Sequence, residues 1–278
     1  MVRIVSDTST LYSTQQAREA GFAVSPLSVT INGKSYREFD EISSDEFVDI
    51  IHQGHMPTSS QPAIGEVMAL YEQFAGEEIL NITMADGLSG TYKSACAAAE
   101  VCENSEDITV VNTATLCGPH RYMVQQCVTM AKEGKSLEEL KTWLESKIPA
   151  QKSFLIPADY DYLRRGGRLS PLVSHVGKAV GWTPVMTETE DGCRLTVFGI
   201  RRGFAHGVKY VAEYLKKVGV DSSYRVYISH AATQDKVDTA EKILRDTIAD
   251  IDLEIVPLSP AFITQGGPNC LAIQYIEK

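Results

Sequence analysis

The chain is short of the patterns that most quickly assign a protein to a class. Nowhere does it reach 18 consecutive apolar residues, so no segment is expected to span a bilayer. It opens Met1-Val2-Arg3-Ile4-Val5-Ser6-Asp7, without the continuous apolar core and cleavage site of a secretory signal. Its six cysteines (Cys96, Cys102, Cys117, Cys127, Cys193 and Cys270) form no C-x-x-C pair, and its histidines show no zinc spacing. Reduced, mostly buried thiols and a cytoplasmic location are the expectation. A G-x-x-x-x-G-K-[ST] loop and an early G-x-G-x-x-G are both missing, which removes the usual nucleotide cradles, and no serine sits in a G-x-S-x-G elbow. Basic residues are scarce too: 26 Lys and Arg stand against 36 Asp and Glu, a net charge of −10 without any basic run, which excludes a general nucleic-acid binder.

What is present is an alternation of strand and helix signals. At 278 residues the chain is long for one core, so two α/β domains are expected, 1–152 and 153–278. In the first, strands are predicted over Val2–Val5, within Ala23–Ile31, over Ile79–Met84 and over Ile108–Asn112, forming a mostly parallel sheet with helices on both faces. Ser43 with Glu46 and Ser136 with Glu139 have the spacing of capping boxes that open amphipathic helices. Residues 54–62 read as a loop and Thr113–Pro119 as a turn before a helix from about Tyr122 to Lys132. In the second, Ser153–Pro157, Leu195–Ile200, Arg225–Ser229, Leu253–Leu258 and Leu271–Ile276 read as strands of a mixed sheet, around a helix-rich, glycine-punctuated middle.

Leu88-Ser89-Gly90-Thr91-Tyr92 joins the strand-like run Ile79–Met84 to an alanine-rich helix, and so puts two hydroxyls and a glycine at a helix N-terminus. Such a turn carries unpaired N–H groups and the positive end of the helix dipole, and an anion is its natural guest. The same hydroxyls also serve as simple caps. Three further loops are rich in hydroxyls or glycine: Ser6–Thr10, Thr58–Gln61 and Thr264–Pro268. Loops that follow parallel strands gather at one sheet edge, where distant hydroxyls can meet around one ligand. Asp7 lacks the second carboxylate that an aspartyl phosphatase needs, since Ser9 stands there, and is expected to fix its own loop. His120 follows Cys117-Gly118-Pro119 near the expected ligand edge and is read as solvated or capping. Arg168, in Leu163-Arg164-Arg165-Gly166-Gly167-Arg168-Leu169-Ser170, has two uses open to it: binding a carboxylate or phosphate, or fixing the junction between domains.

The ordered set Ser6-Asp7-Thr8-Ser9-Thr10, Pro26–Val29 with Ile31-Asn32-Gly33, Ser59-Ser60-Gln61-Pro62, Leu88–Ala95, Leu163–Ser170 and Gln265-Gly266-Gly267-Pro268 resembles the DegV family of bacterial fatty-acid-binding proteins, which includes the FakB subunits of fatty acid kinase. The resemblance runs nearly end to end. It implies two α/β domains with a long-chain fatty acid between them and no cofactor. The carboxylate would be held by loop hydroxyls and the chain buried in an apolar tunnel, in a carrier rather than an enzyme. Carried over by position, the ligand-binding residues are Ser59, Ser60, Ser89, Gly90, Thr91, Gln265, Gly266 and Arg168, with Gln265 where many members have histidine and Ser59 where threonine is usual. A partner kinase that phosphorylates the presented carboxyl group is likewise implied, and transient membrane contact fits a carrier that collects acyl chains. Two other readings stay open: a serine-dependent acyl hydrolase using Ser89, and a carrier of a different anionic lipid.

Overall fold

The computed structural model describes residues 1–171, 173 and 181–278. Part of the middle expected to be helix-rich, with His175, lies outside the described residues. The first 150 residues run β1 (Arg3–Asp7), α1 (Thr14–Ala20), β2 (Ala23–Ser25), β3 (Ser28–Ile31), β4 (Lys34–Arg37), α2 (Ser44–His52), β5 (Thr58–Ser60), α3 (Ile64–Glu72), β6 (Ile79–Thr83), α4 (Thr91–Val101), β7 (Ile108–Asn112), α5 (Cys117–Lys132) and α6 (Leu137–Lys147). The remainder runs β8 (Gln151–Ile156), α7 (Tyr160–Gly166), β9 (Trp182–Glu188), β10 (Leu195–Arg202), α8 (Phe204–Lys217), β11 (Tyr224–His230), α9 (Gln234–Thr247), β12 (Asp252–Pro257), α10 (Pro260–Gly266) and β13 (Leu271–Glu277).

These elements build an α/β protein on three sheets. The first is parallel throughout, in the order β2-β1-β6-β7. Its central strands are almost wholly buried, which is why Ile79-Leu80-Asn81-Ile82-Thr83 reads as a near-continuous apolar run without alternation. The second is mixed, in the order β10-β9-β8-β13-β11-β12, with β11 and β12 parallel and the other pairs antiparallel. A small antiparallel sheet, β4-β3-β5, flanks them. The division expected after Lys152 falls two residues into β8, and the chain passes from the first sheet to the second just before it, at Pro149-Ala150.

Helix starts follow local chemistry. The capping boxes at Ser43–Glu46 and Ser136–Glu139 are formed, and a third joins Ser13 to Gln16. Helix α5 starts at Cys117, five residues before the expected Tyr122, because Pro119 sits in the first turn, where its missing N–H costs nothing. Strands β4 and β5 and helix α10 are too short to show a period and escape the sequence reading, β5 lying inside the expected loop 54–62; β9 and α8 are additional to it as well, although the Val208, Val211 and Leu215 stripe of α8 was a usable signal.

Helix α5 packs against β1 on one side and β11 and β13 on the other, and is buried on most of its surface. The largest apolar cluster therefore draws on both parts of the chain, from Ile4 and Phe47 through Met123 to Tyr227 and Ile263. At Gly118 the α5 backbone lies so close to the Tyr227 ring that even a methyl group would collide with it. The outer face of the mixed sheet is covered by α8 and α9 over a second cluster around Phe154, Val211 and Leu244. No helix among the described residues is long and apolar enough to cross a membrane.

Candidate functional site

In the parallel sheet the chain order reverses direction between β1 and β6, and the loops after these strands meet at the sheet's carboxyl edge. Asp7 locks them together. One of its carboxylate oxygens accepts the Ser9 N–H at 2.9 Å and the other the Met84 N–H at 3.1 Å. His120, from the first turn of α5, fills the space behind this loop. It is fully buried, with Nδ1 2.6 Å from the Ser9 hydroxyl and Nε2 3.1 Å from both the Ser6 hydroxyl and the Ile82 carbonyl. Since the Ser6 hydroxyl already donates to the Ile82 carbonyl, the network assigns the proton to Nε2 and leaves Nδ1 to accept from Ser9. Burial lowers the His120 pKa and keeps the ring neutral, although the nearby Asp7 charge pulls the other way. The expectation of a solvated or capping His120 is thus corrected: strands β1 and β6 enclose it from both sides, and it is a satisfied internal group.

The hydroxyls after β6 are arranged differently. The Ser89 hydroxyl lies 2.8 Å from that of Thr91 and accepts the Thr91 N–H at 3.3 Å, at the start of α4. Thr91 is buried, while Ser89 and Gly90 are half-buried. A nucleophilic serine needs a base within hydrogen-bond reach. Ser89 has Thr91 there, and the histidine that does bond serines, His120, is engaged with Ser6 and Ser9.

Ser59 and Ser60 lie on β5, where successive side chains face opposite ways. Ser59 faces the second part of the chain and accepts a hydrogen bond from the Gln265 amide nitrogen at 3.1 Å, whereas Ser60 is exposed. Gln265 belongs to the last turn of α10 rather than to a loop, since Ser259-Pro260 opens a short helix there. Its amide oxygen is buried without a hydrogen-bond partner and rests against Gly166, at a spot that a side chain on Gly166 would occupy. The N-terminus of the same helix is fixed by Glu38, which is fully buried and accepts the Ala261 N–H at 2.8 Å and the Thr8 hydroxyl. Burial pushes the Glu38 carboxyl up to about 7, partly offset by the bonds from Thr8, Ala261 and Ser259.

Arg168 closes the arrangement. Its guanidinium donates to the Leu88 carbonyl at 3.1 Å and to the Gly166 carbonyl at 2.5 Å, so it joins the loop before Ser89 to the turn after α7. Burial and the neighbouring Arg194 both press its pKa downward, although a guanidinium remains charged. On its outer side lies a surface hollow of about 250 Å³ bordered by Ser89, Gly90 and Lys93. On its inner side lies an apolar cavity of about 100 Å³ between the two larger sheets, walled by Met84, Leu88, Leu155, Met186, Leu195 and Phe262, with Gln265 and Gly266 also bordering it. The structure thus sets Gln265, Gly266 and Arg168 on the border of the cavity, with Ser59 bonded to Gln265, and Ser89 and Gly90 beside Arg168 on the outer hollow. A larger hollow of about 770 Å³, near α1 and α3, contains none of these residues.

Four polar residues that border the cavity were missed by sequence reasoning: Ser153, Thr187, Glu188 and Gln274. Gln274 carried a usable signal, a large polar residue inside the apolar strand Leu271–Ile276. It is fully buried and accepts the Gly118 N–H while donating to the Ser153 hydroxyl and the Leu116 carbonyl. Among the described residues no group of three His, Cys, Asp or Glu is placed to hold a metal ion.

The family model of DegV, described as an uncharacterised protein of the DegV family, matches residues 1–278. The chain belongs to the DegV family. Among its DegV relatives, the DegV domain-containing protein TTE1491 of Caldanaerobacter subterraneus is 28% identical over 280 residues, covering 100% of this chain and 99% of that one. A DegV family protein from Thermus thermophilus, whose structure is described as fatty-acid binding, superposes with a TM-score of 0.89 at 23% identity over 100% of this chain and 99% of its own. A stearic-acid-binding protein from Eubacterium ventriosum gives 0.85 at 21% identity, with 100% and 99% covered. The DegV fold, a parallel sheet joined to a mixed one, is shared by all of these structures.

Proposed function

We propose that this protein binds a long-chain fatty acid, with its acyl chain in the cavity between the two larger sheets and its carboxylate at the Ser59–Gln265–Arg168 end, within reach of Ser89 and Thr91. The observation that carries the reading is the pairing of an apolar cavity with a donor-rich mouth. Taking a carboxylate out of water is costly unless hydrogen bonds replace the lost ones, and the Gln265 amide, the hydroxyls and the first N–H groups of α4 are donors suited to that task. Each buried methylene contributes roughly 0.8 kcal/mol, so a chain of about 16 carbons has on the order of 12 kcal/mol available before the costs of binding. The tail supplies most of the affinity, and the mouth supplies orientation.

In this reading the protein is a carrier that presents the carboxyl group to a partner kinase for acyl-phosphate formation. The surface hollow beside Ser89 and Lys93 lies next to the carboxylate end and leaves it approachable from outside. The fatty-acid binding described for the Thermus thermophilus and Eubacterium ventriosum proteins supports the ligand class. The test is native mass spectrometry of the purified protein, with identification of any released molecule. The expected result is one species heavier by a long-chain fatty acid, and Ser89→Ala should retain it three- to tenfold less well, the effect of losing one neutral hydrogen bond. A different anionic lipid in the spectrum, or an empty protein that takes up no added fatty acid, overturns the reading.

A further inference from the structure

The far wall of the cavity is not apolar throughout. Ser153 and Leu155 of β8, Ala272 and Gln274 of β13, and Met186 and Glu188 of β9 lie on the sheet face that lines the cavity. Leu155 touches Gly266 at the carboxylate end. Ser153 is two residues farther along the strand, about 7 Å away at strand geometry. There one carboxyl oxygen of Glu188 accepts the Ser153 N–H at 3.3 Å and lies 3.4 Å from the Thr187 hydroxyl, and the other is buried without a hydrogen-bond partner. Burial raises the Glu188 pKa, only partly countered by Ser153 and Lys152. With one oxygen held by the Ser153 N–H, the other is an open hydrogen-bonding atom on the cavity wall, placed along the path of the tail. Every other polar side chain at this end has partners: Gln274 has four, and the Thr187 hydroxyl donates to the Ser153 carbonyl.

We propose that Glu188 makes the tail site selective for a hydroxylated fatty acid, one whose acyl chain bears a hydroxyl group that hydrogen-bonds the open Glu188 carboxyl oxygen part-way along the tunnel. The proposal rests on the fatty-acid reading above. A plain methylene chain passing Glu188 leaves a buried carboxyl oxygen unpaired, which is costly, whereas a chain hydroxyl at that depth satisfies it.

The test is competition binding of stearic acid against a panel of monohydroxystearic acids, with the hydroxyl at successive carbons, on the wild type, Glu188→Leu and Glu188→Gln. One positional isomer should bind the wild type at least fivefold more tightly than stearic acid. Glu188→Leu should erase or invert that preference while keeping or improving stearic acid binding, and Glu188→Gln, whose amide can also bond a hydroxyl, should retain part of it. A wild type without preference for any isomer, or a preference that survives in Glu188→Leu, overturns the proposal. Failure to bind stearic acid and every isomer alike sinks the fatty-acid reading itself. Should Glu188→Leu not fold, native mass spectrometry of the wild type after exposure to an equimolar mixture of the acids decides the matter: enrichment of one hydroxy acid supports the proposal, and uptake in proportion to supply overturns it.

Discussion

Two polar clusters sit about the same helix-and-sheet junction and are built to opposite plans. Around His120 every group is answered: both ring nitrogens are bonded, and Asp7 uses both oxygens. Around the cavity two polar groups are left open, the Gln265 amide oxygen and one Glu188 oxygen. Since buried polar groups are nearly always paired, a complete network marks scaffold, whereas the open Glu188 oxygen beside the cavity is one a ligand could complete; the Gln265 oxygen is an acceptor and could be completed by a donor but not by a carboxylate. The sheet edge where β1 meets β6, the usual crevice for ligands in such folds, has been filled by the histidine. The open site lies instead between the two sheets.

That contrast can be broken by substitution, beginning with the scaffold. Replacing His120 by Ala leaves a void and strands the hydroxyl of Ser9, so unfolding in urea should show a loss of about 4 kcal/mol. Ligand retention per folded molecule should stay unchanged. A stable His120→Ala that loses its ligand would reverse the assignment of the two clusters.

Next in size is Glu38, fully buried between Thr8 and α10. Its pKa is about 7 when folded against an ordinary value of 4.5, so the folded state holds the proton more tightly. Its contribution to stability is therefore complete below pH 4.5, declines as the pH rises through 7, and levels off above, a change of up to about 3 kcal/mol. Stability curves of wild type and Glu38→Gln should separate over that interval, with the variant lacking this component of the decline. Parallel curves would show that Glu38 stays ionised in its pocket.

The smallest effect on stability belongs to the open cluster. Gly166→Ala places a methyl group where the Gln265 amide oxygen rests, and a flexible side chain can yield. Unfolding should change by under about 1 kcal/mol, while displacement of Gln265 from Ser59 weakens fatty-acid retention about tenfold. An unchanged affinity would remove the Ser59–Gln265 pair from the carboxylate site.

The architecture was legible where one physical signal dominates. Buried parallel strands such as Ile79–Thr83 announce themselves by unbroken apolarity, and two capping boxes located α2 and α6. Strand β5 and helix α10 could not be read, because three and seven residues are too few for a period and both are held by partners remote in sequence. The same remoteness hid half of the site. Ser89 and Gln265 were nominated through motifs, yet nothing local to Glu188 in Met186-Thr187-Glu188-Thr189-Glu190 distinguishes it from the acidic residue two positions on. Only the pairing of β8 with β9 turns it inward. His120 was misread for the converse reason: its neighbours Ser6 and Ser9 lie more than 110 residues away.

Where Gly118 meets Tyr227 the two sheets touch without slack, helix backbone against ring. Separation along that line would expose the largest apolar cluster of the molecule, so the tunnel cannot open there. On the opposite side the closure is a guanidinium resting on two carbonyls, contacts that water replaces at little cost. The protein is in this sense a purse with a sewn seam and a clasp: on the fatty-acid reading proposed above, an acyl chain would enter by the Arg168 side and not by the seam.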